Sequence, residues 1–423
     1  MADQIITGID IGSSKLAVVV ANISDEEEQP RVMGFASVPS AGVKRGQIVD
    51  IQRVTDALEQ AVEQAERMAG SKIDHAIVSV GGPHIESLNS NGVVAVTNPH
   101  AEIHLDDVTR VIDAANAISL SSTRQVVDVL PREYVVDGQG GIKNPTGMTG
   151  VRLEVNTHII TASQTTLKNI ERALSDLGIT IDGFVFSGLA SSLSTLTETE
   201  RELGVALVDI GGGKIDTCIF AEGALSYSCS IPVGARHVTN DIAVGLRVSL
   251  ESAEKIKLYL SKQSHKTDHD GKPRDEMDIT DLHLPEGLTS LSFKTVVDGI
   301  IRPRMEEMFS GVLEHIDKSG YGTQIPSGLV ITGGGALTVS ALESARRVVG
   351  MPARIGTPDY ITGLVDEVMY PQYATLTGLL ISAKQQGERS SRSGMKDFDS
   401  LLRGFTPKIS FKKITDMVKS FMP

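Results

Sequence analysis

One short pattern occurs twice in this chain. Gly8-Ile9-Asp10-Ile11-Gly12-Ser13-Ser14-Lys15 returns as Leu207-Val208-Asp209-Ile210-Gly211-Gly212-Gly213-Lys214. Each copy is a β-rich run, the turn Asp-Ile-Gly-x-x-Lys, and a second β-rich run, which predicts a hairpin with a tight polar turn. A second pair follows in the same order: Ala76-Ile77-Val78-Ser79-Val80-Gly81-Gly82 matches Gly328-Leu329-Val330-Ile331-Thr332-Gly333-Gly334. Two matched signals in one order predict a duplicated α/β unit. Asp10 and Gly81 are 71 residues apart, and Asp209 and Gly333 are 124 apart, so the second copy holds roughly fifty extra residues.

The 423 residues allow two to four domains at roughly 100–200 residues each. There are 40 Lys and Arg against 53 Asp and Glu, a formal charge of −13 that argues against a general nucleic-acid binder. The charge is uneven. Residues 384–423 carry nine basic and four acidic side chains, net +5, which leaves −18 on residues 1–383. Two cysteines, Cys218 and Cys229, are too few for a disulfide scaffold. They flank Gly223 in an expected hairpin, where buried thiols in a reducing cytosol are the favoured reading and cross-strand proximity the alternative. The N-terminus lacks a basic stretch followed by an apolar one, and no window reaches the ~20 apolar residues of a spanning helix. The expectation is a cytoplasmic protein.

Helices are expected at Ile51–Met68, Gln164–Leu177, Ser187–Thr197, Val248–Ser261 and Thr295–Ile316, the last with Pro303 near its first turns or at a kink. Residues 83–161 carry strands of their own (92–96, 125–129 and 150–160) and a helix over 105–117, so they read as a small α+β insertion. Gln263–Leu284 is polar and reads as an exposed excursion. From Lys384 to Asp399 there is almost nothing to bury, which predicts a flexible linker.

The chemistry sits in the paired turns. Small residues between two strands point successive backbone N–H groups into a concavity suited to phosphate. Asp10 and Asp209, at matching strand ends, supply two hard oxygen donors for hydrated Mg²⁺ held through its waters. Lys15 and Lys214 add positive charge for phosphate oxygens. Gly333-Gly334-Gly335, after a buried strand, is either a seat for a nucleotide's α-phosphate or sugar, or simply a tight strand-to-helix turn. It is not a Walker loop, since the Gly-Lys-Ser/Thr ending is missing. Asp216 either orients water in the second hairpin or faces solvent from its strand. No residue in these motifs is an obvious general base, so slow or negligible turnover fits better than fast hydrolysis of a bound phosphate ligand, which would then act as a conformational ligand.

The last stretch has its own logic. Phe411, Ile414, Met417, Val418, Phe421 and Met422 fall on one helical face, and Lys412, Lys413 and Lys419 lie off it. A short basic amphipathic helix after a linker predicts a reversible interfacial membrane anchor, with a tail helix docked on the core as the alternative.

Together these residues resemble the actin/chaperone-ATPase/sugar-kinase superfamily. Within it, Val129-Leu130-Pro131-Arg132-Glu133-Tyr134, Gly141-Ile142-Lys143-Asn144-Pro145-Thr146-Gly147-Met148, Val151-Arg152-Leu153-Glu154 and Ile231-Pro232-Val233-Gly234-Ala235 resemble the bacterial cell-division family FtsA, as does the terminal amphipathic stretch. The resemblance covers essentially the whole chain. It implies an actin-like, ribonuclease H-like duplicated α/β fold with two lobes around a nucleotide cleft. Subdomain 1A would comprise 1–82, 162–202 and 366–383, and the inserted subdomain 1C would be 83–161. Subdomain 2A would comprise 203–233 and 303–365, with 2B at 234–302, a linker at 384–400 and the membrane-targeting helix at 401–423.

The same resemblance implies ATP with Mg²⁺ as ligands. By position, Asp10, Gly12, Ser13, Ser14 and Lys15 match the first phosphate loop, and Asp209, Gly211, Gly212, Gly213 and Lys214 the second. Gly333, Gly334 and Gly335 match the adenosine turn, and Gly234 the glycine after the second hairpin. Glu251 and Lys255 match an adenine/ribose-contacting Glu-x-x-x-Lys pair; by spacing alone they are an ordinary i,i+4 salt bridge. The implied function is polymerisation on the inner face of the cytoplasmic membrane at the division septum, with the tail of the tubulin-like protein FtsZ docking near Arg304, Glu306 and Glu307. The insertion would contact neighbouring protomers or later division proteins. Two other readings within the superfamily are a PilM-like pilus-assembly adaptor, which usually lacks a terminal lipid-binding helix, and a sugar-kinase-type enzyme, in which that tail has no role.

Overall fold

A computed structural model describes residues 4–24, 29–97, 100–262, 275–364 and 366–393. The first hairpin forms where the pattern puts it. Strands β1 (Gln4–Ile11) and β2 (Lys15–Ile23) run antiparallel with Ile11 opposite Leu16, and β3 (Arg31–Pro39) pairs with the far side of β2. Helix α1 (Ile51–Ala69) crosses back, and β4 (His75–Val80) lies parallel to β1. The Asp50 carboxylate caps α1 by accepting from the Arg53 amide at 3.2 Å, and left-handed Gly70 ends it. Its buried face, Val54, Leu58, Ala61, Val62 and Ala65 with Ala57 added, is the stripe that the spacing predicts.

The chain then builds a separate four-stranded sheet from β5 (Glu86–Ala95), β6 (Arg124–Val136), β7 (Gln139–Ile142) and β8 (Arg152–Ser163), in the order β5-β8-β6-β7. Helix α2 (Leu105–Asn116) buries Val111 and Ala115 in a core with Tyr134, Leu153 and Val155. The sequence predicts that the middle strand stops at Val129, ahead of Pro131. Instead β6 continues to Val136, because Pro131 faces Thr157 and Glu133 faces Asn156, leaving Arg132 as an extra residue. A bulge beside the proline absorbs the missing donor. The first half closes with α3 (Gln164–Ser175), β9 (Thr180–Phe186) parallel to β4, and α4 (Ser187–Thr195).

After a short helix α5 (Glu198–Leu203) the layout repeats. Strands β10 (Val205–Ile210), β11 (Ile215–Ala221) and β12 (Ala224–Ile231) form an antiparallel set. Helices α6 (Ala235–Leu246) and α7 (Leu250–Lys262), a small ladder of β13 (Glu276–Asp278) with β14 (Ser290–Ser292), and α8 (Arg302–Ser319) occupy the place of α1. Strand β15 (Leu329–Thr332) then lies parallel to β10, and α9 (Ala341–Val349) leads to β16 (Ala353–Ile355) parallel to β15. The first sheet reads β9-β4-β1-β2-β3 and the second β16-β15-β10-β11-β12, so the two copies share one topology. A two-residue strand β17 (Thr362–Gly363) extends the first sheet at β3, and α10 (Ala374–Ser393) ends the described chain.

Several expectations change. Residues 275–284 are largely exposed, as their polarity predicts, but Ile279 and Leu284 are buried with the α7 and α8 side chains and anchor the segment to the second core; 263–274 lie outside the described residues. The helix expected from Thr295 opens as a π-helix over Lys294–Ile301, with the Arg302 amide reaching back to the Val297 carbonyl. Pro303, which has no N–H to donate, sits where α8 begins. Helix α10 runs to Ser393, so the first ten residues of the segment expected as linker are helical. The remainder of that segment and the amphipathic stretch Phe411–Met422 lie outside the described residues. Cys218 and Cys229 are buried free thiols, opposite Ser228 and Thr217 respectively. Burial pushes the Cys229 thiol up to about 12 and the Cys218 thiol well above its ordinary value. Among the described residues no helix is long and apolar enough to cross a membrane.

Candidate functional site

The two Asp-Ile-Gly-x-x-Lys turns share their closing hydrogen bond. The Gly12 amide donates to the Lys15 carbonyl at 3.0 Å, and the Gly211 amide to the Lys214 carbonyl at 2.9 Å. They also face each other. A Cβ placed on Gly212 would lie 1.9 Å from the Ser14 hydroxyl oxygen, and one on Gly213 would lie 2.8 Å from that of Ser13. A side chain at either glycine would have to displace these hydroxyls, so glycine lets the two turns sit this close. Ser13 Oγ accepts from the Gly46 amide at 2.9 Å. The start of α6 seals the second turn, with the Ala235 and Arg236 amides donating to the Gly211 and Gly212 carbonyls at 2.9 Å, and this sets Gly234 beside it. The third turn stacks on the end of β10. Gly333 has φ +82°, and a Cβ there would lie 2.2 Å from Asp209 Oδ1; one on Gly335 would lie 2.2 Å from the Ile210 side chain. Gly334 is the residue between them, at the start of a 3₁₀ turn over Gly334–Leu337.

The carboxylates are held individually. Asp10 Oδ1 accepts from the Ser79 hydroxyl at 2.6 Å. Asp209 is buried, and its Oδ2 accepts from Ser191 Oγ and, at 3.1 Å, from Thr375 Oγ1. Burial, then the neighbouring Asp216 charge, raises the Asp209 carboxyl to about 6. Asp216 is 1% exposed, which removes the solvent-facing alternative. It accepts from Ser187 Oγ at 2.6 Å, from Ser230 Oγ at 2.7 Å and from the Lys214 ammonium. Lys214 also donates to Ser187 at 2.6 Å, so the second-half lysine is tied to the first residue of α4. Its counterpart Lys15 donates to the Gln372 carbonyl at 2.5 Å and lies 3.6 Å over the Tyr373 ring. Burial lowers the Lys15 ammonium to about 8, against the opposing pull of Asp10 and Asp209.

Other expected residues are placed elsewhere. Glu251 and Lys255 pair with each other at 3.0 Å on an outer face of α7, as their spacing alone predicts. Arg304 is clamped by Asp241 at 2.5 Å and by Glu307, and Glu306 pairs with Arg347 at 3.1 Å. Sequence reasoning missed Ser79, Ser187, Ser191, Ser230, Gln372, Tyr373 and Thr375. Ser187 and Ser191 stand four apart on an expected helix, a detectable signal; nothing local marks Thr375. Among the described residues no group of three or more His, Cys, Asp or Glu has metal-binding proximity.

A doubled sheet with paired turns of this kind defines the actin-like fold. The PilM–PilN type IV pilus biogenesis complex superposes on it with a TM-score of 0.62 at 13% identity, over 89% of this chain and 98% of that one. MreB5 of Spiroplasma citri bound to ADP gives 0.53 at 12%, over 93% and 99%. A family model described as the SHS2 domain inserted in FtsA matches residues 82–161, and the model for cell division protein FtsA matches 206–378. Cell division protein FtsA of Pseudomonas aeruginosa is 38% identical over 383 residues, 90% of each chain. Those of Bacillus subtilis and Escherichia coli K12 are 37% and 34% identical, over 89% and 90% of this chain and 83% and 91% of theirs. The chain belongs to the FtsA family of cell division proteins.

Proposed function

We propose that this division protein binds ATP with Mg²⁺ between its two turns, polymerises on the cytoplasmic face of the membrane at the septum, and tethers FtsZ filaments there. The observation that carries the reading is the approach of Gly212 to Ser14, which sets two anion-binding turns and their carboxylates face to face. The residues fit such a ligand. Ser13, Ser14, Gly212 and Gly213 would offer backbone amides at close range, the Gly12 and Gly211 amides being taken up in closing the turns, and Lys15 is a cation kept out of bulk water. Asp10 and Asp209 would hold Mg²⁺ through its waters, and the ion would supply charge neutralisation for phosphate oxygens. Gly333–Gly335 would lie under the nucleoside side, with Gly234 closing the second turn. Glu251 and Lys255 would reach the base or ribose only by giving up their mutual pair.

Hydrolysis is assigned a minor role. The Asp216 carboxylate is already engaged by Lys214, Ser187 and Ser230, which leaves it poorly placed to activate water. The nucleotide then acts as a conformational ligand. The FtsZ tail would dock by competing for the ion pairs of Arg304, Glu306 and Glu307, and the insertion would meet neighbouring protomers or later division proteins. The tail residues Phe411, Ile414, Met417, Val418, Phe421 and Met422 would enter the lipid interface, with Lys412 and Lys413 at anionic headgroups. One short helix binds reversibly, and a polymer presenting many tails binds through avidity.

Co-sedimentation with anionic vesicles and ATP tests this reading. The full chain should pellet with lipid, whereas a chain ending at Lys384 and a Phe411→Ala/Phe421→Ala variant should stay in solution. Equal pelleting of all three overturns the membrane part. Absence of ATP binding in calorimetry overturns the nucleotide part.

A further inference from the structure

The inserted sheet and the second-half sheet meet at β12, the edge strand Ala224–Ile231, and no main-chain ladder joins them among the described residues. Side chains do the joining. Ser87 Oγ donates to the Ser228 carbonyl at 2.7 Å, and Asn89 Nδ2 donates to the Ser226 carbonyl at 3.2 Å. Alternate residues of β5 thus cap alternate carbonyls of β12, whose outer edge would otherwise carry unpaired groups. From β6, Arg132 Nε donates to Ser226 Oγ at 3.1 Å. From β8, His158 Nε2 meets Ser228 Oγ at 2.9 Å while its Nδ1 meets Asn89 Oδ1 at 2.7 Å. The amide oxygen only accepts, so Nδ1 carries the proton and Nε2 accepts from Ser228. His158, Ser226 and Ser228 are each no more than 2% exposed, and each hydroxyl or ring nitrogen named here is matched.

The serine row continues inward. Ser230 Oγ accepts from the Gly82 amide at 3.1 Å and donates to Asp216 Oδ1 at 2.7 Å, on the carboxylate that also binds Lys214 of the second turn. Gly82 stands at the junction with the inserted sheet, where the match to the inserted-domain model begins. At the other end, a cleft of about 200 Å³ with Arg132, Lys143, Glu222 and Gly223 among its walls admits solvent beside the seam.

We propose that Ser226, Ser228 and Ser230 form a releasable latch: the inserted sheet swings off β12 as a unit, and Ser230 ties that movement to the state of the second turn. Water can replace each of these hydrogen bonds, so parting them costs less than parting a main-chain ladder; the swing also loosens apolar contacts, since Ile160 and Ala162 of β8 share a buried cluster with Leu225 of β12. A ladder would fuse the two sheets; side-chain bridges hold them without fusing them. An anion on the second turn that draws Lys214 from Asp216 changes the group to which Ser230 donates, and that gives the two latch states different ligand affinity. This coupling arm rests on the proposed nucleotide reading, whereas the latch itself does not.

The test is a spin-label distance measurement on the full chain, with labels at Val93→Cys and Val244→Cys, both exposed; the native thiols are buried. The doubly labelled parent chain should give one narrow distance. Adding Asn89→Ala and Ser228→Ala should add a second, displaced population, raising the open-to-closed ratio about fivefold for each hydrogen bond lost. Asn89→Ala alone alters an exposed side chain and decides the matter should Ser228→Ala fail to fold. A variant distribution identical to that of the labelled parent overturns the latch. Mg-ATP should redistribute the parent's distances, and Ser230→Ala should abolish that response. ATP that binds by calorimetry without moving the distances overturns the coupling. ATP that does not bind removes the nucleotide reading and the coupling with it, while the Asn89/Ser228 arm still decides the latch.

Discussion

Asp209 and Asp216 face each other across the second hairpin, and one helix supplies a hydroxyl to each, Ser191 to the first and Ser187 to the second. The two serines lie one turn apart on α4, so they share a face. α4 belongs to the first half of the chain and the hairpin to the second. The carboxylates at the centre of the candidate site are therefore oriented from across the duplication.

Asp209→Asn keeps the side-chain volume and removes the charge. Calorimetry should show Mg-ATP binding weakened at least about tenfold, the scale of one lost charge-assisted interaction in a buried site, with little change when the metal is chelated. Ser191→Ala should move affinity in the same direction by less. Equal affinity of Asp209→Asn and wild type would take this residue out of the site.

Lys15→Met should separate binding from stability. The ammonium is buried against Tyr373 at a cost visible in its lowered proton affinity, so a methionine of similar length should hold or raise the melting temperature. ATP affinity should fall. A variant that loses stability and retains affinity contradicts the assignment of Lys15 to phosphate.

His158 and His84 are held neutral by burial, helped by Arg132 for the former and by Lys214 and Arg124 for the latter, at about 3 and about 4. Both folded values lie below the ordinary 6.5. Each histidine therefore contributes its full stability above pH 6.5 and loses it as pH falls towards the folded value, by about 1.4 kcal/mol per unit. Asp209, raised to about 6, acts in the opposite sense, because its buried charge is relieved on acidification. Urea midpoints at pH 7.5 and 5.5 for wild type and His158→Gln isolate the histidine. The variant should show the smaller acid loss, and equal losses refute the assignment.

Gly378→Ala probes the joint between α10 and α4. A Cβ at residue 378 would lie 1.8 Å from the Ala190 carbonyl oxygen, a backbone atom that cannot rotate away. Overpacking of this kind costs about 1–3 kcal/mol, measurable by chemical denaturation. A change under about 0.5 kcal/mol, the range of a neutral surface substitution, would mean that the helices shift apart freely.

Much of the architecture was legible because it is local. Asp10 to Lys15 and Asp209 to Lys214 specify their own turns within six residues, and the α1 stripe specifies its own buried face. Duplication was legible because both copies keep those signals in order. The same locality misled at Pro131, where a bulge across from Asn156 and Thr157 carries the strand onward, and it left unseen the two anchors, Ile279 and Leu284, that tie the largely exposed 275–284 to a core.

The sequence alone determined that two matching Asp-Ile-Gly-x-x-Lys turns exist, that a second α+β unit interrupts the first half, and that an acidic body is followed by a basic amphipathic stretch. Only the tertiary structure decided what holds the carboxylates. Ser191 and Thr375 reach Asp209 from 18 and 166 residues away, and Ser230 joins the second turn to the inserted domain. A turn is fixed by steric rules within a few residues. The partner of a buried oxygen is fixed by which distant strand or helix packs over it, and serine or threonine at that place carries no local mark.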